Sequence, residues 1–190
     1  MTGVPSSDSD APQASLPSFE RLKSVFDAVK AHVEKRYGLA VRIADVLDPN
    51  TGDFDGVSIS LDHAQNLDMA LFVLLHLFGH TVQWNVSQEL RALGIASVAI
   101  PVDPALLPAI HEYERRASAL GLSLLHACGV RDLDQWLADY CEADWRYLER
   151  YYATGEKLPF DAVLRSGAAR LDPLPIPEFA PRRWVSRYSF

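Results

Sequence analysis

Cysteine is scarce: the chain has two in 190 residues, too few for a disulfide scaffold. No uninterrupted run of about 18 apolar residues occurs, so no membrane-spanning helix is expected. Residues 1–18 carry neither a basic cluster nor an apolar segment, so no secretory signal is read there and the expected compartment is the cytoplasm. Basic charge is also short. There are 18 Lys+Arg against 25 Asp+Glu, a formal charge of −7, which argues against a nucleic-acid binder. What is present is apolar: 48% of residues are hydrophobic, enough to exclude a wholly disordered chain. At about 150 residues per domain, one domain with tails is expected.

Residues 1–18 are rich in Ser, Pro and Asp and read as a disordered leader. Ser18 is placed to cap a helix over 19–37, closed by Gly38. Residues 39–47 and 56–62 alternate apolar and polar side chains. With the turn residues 48–53 between them, they read as an antiparallel hairpin. The most apolar stretch, 67–84, predicts a central buried helix. After a linker at 100–104, Asp103 and Pro104 have the cap and first-position chemistry of a helix over 105–127, whose regular start Pro108 delays by a turn. A last helix is expected over 133–153, near Gly155. The domain therefore spans 19–171. Residues 172–190, with Pro173, Pro175, Pro177 and Pro181, form a C-terminal arm.

His76 and His80 lie four residues apart on the central helix, so both imidazoles can reach one point. A helix presents two nitrogen ligands to zinc in this way. Two interior histidines satisfied by hydrogen bonds are the plainer alternative. Glu114 is the candidate third ligand. It falls on the same face of the 105–127 helix as Leu107, Ile110, Ala117, Gly121 and Leu124, and an inward carboxylate must be paired or bind a metal. Pairing with Arg42, Arg91 or Arg115 is the competing possibility. Ala117 and Gly121 are small enough to let two helices approach closely.

The stretch 56–84, GVSISLDHAQNLDMALFVLLHLFGHTVQW, resembles the strand and active-site helix of the ImmA/IrrE-type zincin metallopeptidases. Glu114-Arg115-Arg116-Ala117, followed by Leu124-Leu125, resembles that family's later E-x-x-A ligand helix. The resemblance covers roughly residues 19–127. It implies an α+β, zincin-like metallopeptidase domain, with a short antiparallel sheet packed on a helical bundle and zinc held by His76, His80 and Glu114. One departure is decisive. HLFGH stands where the family has H-E-x-x-H, so Leu77 occupies the position of the general base. That Glu takes a proton from the attacking water and passes it to the leaving amine; leucine can do neither. The expectation is therefore a zinc-binding pseudoenzyme that acts through protein binding, with no catalytic residue assigned. An active hydrolase with an unconventional base is the first alternative, although Glu112 and His111 point away from Glu114. A metal-free interaction protein is the second.

Within such a fold, strand 57–61 is expected to be the edge strand beside the metal and able to accept a peptide partner. Cys128 and Cys141 read as ordinary buried thiols. Acids on the 133–153 helix and its lead-in, Asp139 and Asp144 among them, read as a solvated face, with the aromatics as a packing stripe. The arm is different in charge: from Arg165 onward the chain is net +3, leaving −10 for the rest. It is expected to wrap its own domain or exchange with a second copy in a homodimer, rather than to meet nucleic acid.

Overall fold

The computed structural model describes residues 16–46, 50–97 and 100–184. Most of the expected leader and the last six residues of the arm lie outside the described residues. Helix α1 spans Phe19–His32, and Ser18 Oγ accepts the Arg21 amide at its N-terminus. The helix then widens into a π-turn over Val33–Tyr37 before Gly38 ends it in the left-handed region. Strands β1 (Ala40–Ala44), β2 (Gly52–Phe54) and β3 (Ser58–Asp62) form one small sheet. Helices α2 (Leu67–Val86), α3 (Gln88–Ala96), α4 (Leu107–Ala127), α5 (Asp134–Thr154) and the short α6 (Phe160–Val163) follow. Asp103 caps a 3-10 turn over Pro104–Leu106 that leads into α4, so the α-helix starts two residues later than the 105 expected. The class is α+β.

The sheet corrects the expected hairpin. Its order is β1-β3-β2, with β1 parallel to β3 (Val41 opposite Ile59) and β2 antiparallel to it (Phe54 opposite Ile59). The sequence between the two alternating segments read as turn residues, yet it contains a strand, β2, that makes the tight hairpin with β3. Asp55 organises that hairpin: its Oδ1 accepts the Val57 and Ser58 amides and the Ser58 hydroxyl. Strand 57–61 is therefore central, not an edge. Both of its sides are paired, and Ser58 and Asp62 are buried, so it cannot accept a peptide as an added strand. The outer strand on its second side is β2.

Helix α2 is the core. It has the length and composition of a membrane-crossing helix, but 72% of that window is buried inside the fold. It packs most extensively on α4, and the approach is close enough to exclude side chains. A Cβ at Gly79 would lie 2.1 Å from the Ala117 carbonyl oxygen, and one at Gly121 would lie 2.8 Å from the Leu75 carbonyl oxygen. The small residues expected to permit a close helix crossing are thus the crossing itself. Helix α3 was not anticipated; Ser87, whose Oγ accepts the Leu90 amide, is its only local start signal.

The described part of the arm lies on its own domain. Phe179 stacks on Tyr37 at 5.6 Å. The Trp184 amide donates to the Asp55 carbonyl (2.7 Å), and the Arg91 guanidinium lies 3.8 Å over the Trp184 ring. Arg183 pairs with Asp55 (3.2 Å). The arm thereby covers the β2–β3 turn, where Gly56 leaves room for the Arg182 carbonyl.

Replacing Gly79 with Ala would force α2 and α4 apart. Overpacking of this kind costs about 2–3 kcal/mol. The expected outcome is a lower denaturation midpoint for Gly79→Ala in urea; an unchanged midpoint would show that the helices do not meet this closely.

Candidate metal centre

Three side chains from two helices converge. His76 and His80 come from α2 and Glu114 from α4, held at hydrogen-bonding range by the Gly79–Ala117 approach. Glu114 Oε2 lies 3.0 Å from His76 Nε2 and 2.8 Å from His80 Nε2, and the two Nε2 atoms are 2.9 Å apart. Glu114 and His80 are buried, at 4% and 2% exposure. None of the three arginines considered as partners pairs with Glu114. Arg115 is bound to Glu112, Arg91 covers Trp184, and Arg42 is exposed.

The orientation of the two imidazoles follows from the surrounding bonds. Gln83 Nε2 donates to the Tyr113 carbonyl (2.8 Å), which turns its Oε1 toward His80 Nδ1, 2.9 Å away. An amide oxygen only accepts, so His80 carries a proton on Nδ1 and turns Nε2 toward Glu114. His76 Nδ1 lies 3.2 Å from the Ser118 hydroxyl, which can either accept a proton from it or donate one to it. The Nε2 atoms of both imidazoles and a carboxylate oxygen then face one another within 3.0 Å. Either protons on Nε2 or a metal ion must lie among the three atoms to hold them this close. Two imidazoles and a carboxylate are also a known metal ligand set, so the group can hold a metal ion.

The neighbours keep this geometry rigid. The Tyr113 ring stacks on His80 at 4.5 Å, and Phe72 packs at 5.6 Å from His76. The Tyr152 hydroxyl of α5 donates to Glu114 Oε1 (3.1 Å). Burial pushes the Glu114 carboxyl up, but the His80 and His76 imidazoles beside it outweigh that and hold it well below the usual carboxylate range.

A cleft of about 320 Å³ reaches the cluster. Met69, Phe72, Val73, Leu77 and Phe160 form apolar wall, and Gly52 and Phe54 of β2 border it. Leu77 lies where the resemblance would place a base. A second cavity of about 270 Å³ also reaches His76, Glu114 and Asp144. His111 and Glu112 are exposed; His111 stacks on Trp145 at 4.1 Å and, contrary to its expected orientation, lines the second cavity together with His76 and Glu114.

The solvated-face assignment fails for two acids of α5. Asp139 is buried and accepts the Gly167 and Ala168 amides, pinning the chain after α6. Asp144 points into the site, with Oδ2 3.9 Å from His76 Nε2. Burial pushes its carboxyl up to about 6; His76 opposes this and Glu114 adds to it. Sequence periodicity does not single out Asp144, because it lies between the aromatics on a helix that packs on more than one side. Gln83 was recoverable in principle, being one turn beyond His80.

Cys128 and Cys141 are free and half-buried. Burial pushes the Cys141 thiol up to about 12, against a hydrogen bond from Ser118. Comparison with family models, curated proteins and solved structures gives no match for this chain.

Because the thiolate is the reactive form, Cys141 should alkylate with iodoacetamide at pH 8 at least about a hundredfold more slowly in the native protein than in guanidinium. Equal rates would place Cys141 outside the packed α4–α5 interface.

Proposed function

We propose that this chain is a zinc-binding relative of the zincin metallopeptidases that has lost the usual general base and acts by holding a protein or peptide partner in its cleft. The supporting observation is the convergence of His76, His80 and Glu114, with the Nε2 atoms of both imidazoles turned inward and their Nδ1 atoms on Gln83 and Ser118. Two nitrogens and one carboxylate suit zinc best among common ions. Zinc bound there would supply a Lewis acid that polarises a carbonyl oxygen.

The chain's own residues then divide the work. Gln83 and Ser118 orient the two imidazoles, Tyr152 orients the Glu114 carboxylate, and the apolar wall excludes water from the bound segment. Leu77 neither accepts nor delivers a proton, so the family's route to hydrolysis is missing. The outer strand β2 borders the cleft, and a strand at the edge of the sheet suits an extended peptide better than strand 57–61, which is paired on both sides. The ImmA/IrrE resemblance, the cytoplasmic address and partner binding all belong to this proposal.

Elemental analysis of untagged protein purified without chelators is expected to find near one zinc per chain, with less than a tenth of that in His76→Ala and Glu114→Ala. Zinc-free protein after zinc supplementation would overturn the metal assignment. Protons compete with zinc for imidazole, so the bound metal should be retained at pH 7.5 and released below about pH 5. Leu77→Glu should bind zinc equally well and gain measurable peptidase activity. If that variant stays inert, the cleft is not a disabled peptidase site. Hydrolysis by the unmodified protein that is abolished in His76→Ala would sink the pseudoenzyme assignment.

A further inference from the structure

The wall of the cleft is apolar where a peptidase would carry its base, yet the cleft is not without a second carboxylate. Apart from Glu114, the acid among its lining residues is Asp144, supplied by α5 from a different direction. Trp145 stacks on His111 of α4, and Tyr152, two turns on, bonds Glu114. The rotation of α5 is therefore set by contacts on both sides of Asp144. Asp144 Oδ2 lies 3.9 Å from His76 Nε2, but the residue is outside the set of side chains whose ligand atoms all lie within 4.8 Å of one another. It is thus too far out to join His76, His80 and Glu114 as a direct ligand, and near enough to meet a group bound beside them. Among the described residues no protein donor hydrogen-bonds to its carboxylate. A half-buried carboxylate without a donor favours a ligand that brings one.

We infer that Asp144 is the positioning residue of the cleft: it accepts a hydrogen bond from the N–H or O–H of a ligand whose neighbouring oxygen enters the His76–His80–Glu114 pole. The ligand class follows from this pairing. It has an oxygen donor adjacent to a proton donor, as in a peptide amide or a hydroxamate, and carries an aliphatic or aromatic group for the Met69–Phe72–Val73 wall. A simple carboxylate is disfavoured, because at neutral pH it brings oxygens and no proton, and faces Asp144 with like charge.

This inference rests on the metal site proposed above, and its test separates the two. Hexanohydroxamate and hexanoate are titrated into zinc-loaded protein at pH 7.5 by calorimetry, with zinc content measured in parallel. In Asp144→Asn, a near-isosteric change that reverses the hydrogen-bonding character of one atom, zinc content is expected to remain at the wild-type level. Hexanohydroxamate should bind about tenfold or more weakly, the scale of a hydrogen bond to a charged acceptor. Hexanoate should bind equally well or more tightly, a divergence that general damage to the cleft would not produce. Equal affinity of both proteins for the hydroxamate, or parallel weakening of both ligands, would overturn the role of Asp144 while leaving the metal site standing. Loss of zinc in Asp144→Asn would overturn it in favour of direct ligation. A wild-type protein that takes up no zinc would overturn the site and this inference together.

Discussion

The contact on which the rest depends is the approach of α2 to α4 at Gly79 and Ala117. The two backbones come so near that not even a methyl group fits at Gly79. Gly79 lies between His76 and His80 in the chain, and Glu114 is one turn before Ala117. Bringing the helices together at that point necessarily brings the three polar side chains together as well. Packing density and site geometry are therefore one constraint, because a side chain inserted for better helix propensity would separate the ligand atoms.

That closeness has an electrostatic cost. A carboxylate and two imidazoles are withdrawn from water in the least polar part of the molecule, where each must find partners. The surrounding layer supplies them one by one: Gln83 and Ser118 for the Nδ1 atoms, Tyr152 for the outer oxygen of Glu114. What the protein leaves open is the common point among Nε2, Nε2 and Oε2. Every other polar atom of the three ligands is occupied, and the open ones share a single direction. Such an arrangement, two imidazole nitrogens and one carboxylate oxygen sharing a point, could hold a metal ion.

The sheet, α5 and the arm bound this centre from outside. Strand β2 forms one border of the cleft, and α5 brings Tyr152 and Asp144 to it. The arm's Trp184 and Arg183 hold the β2–β3 turn through Asp55. Among the described residues of the arm, three have partners within the same domain: Arg183 on Asp55, Phe179 on Tyr37, and Trp184 under Arg91.

Local sequence rules were sufficient wherever the controlling physics is local. Ser18, Gly38, Asp103 and Gly155 mark helix ends because capping and positive φ act within a few residues. Four-residue spacing alone puts His76 and His80 on one face. Helical periodicity also turned Glu114 inward, because its neighbours on that face are apolar or small. Non-local pairing escaped the same reasoning. Whether 56–62 pairs with 39–47 directly or across a parallel register is decided by the chain between them, and three residues of β2 are too few to show a period. Asp144 escaped for a related reason. A carboxylate on an amphipathic helix reads as solvated until the neighbour on its side is known, and here that neighbour is the histidine pair of α2. Local sequence was enough for helices α1, α2, α4 and α5, the end signals at Ser18, Gly38, Asp103 and Gly155, and the inward direction of three side chains. Only the tertiary structure decided the strand order, the closed distance between those ligands and the second carboxylate beside them, because each depends on which surfaces meet across long separations in the chain.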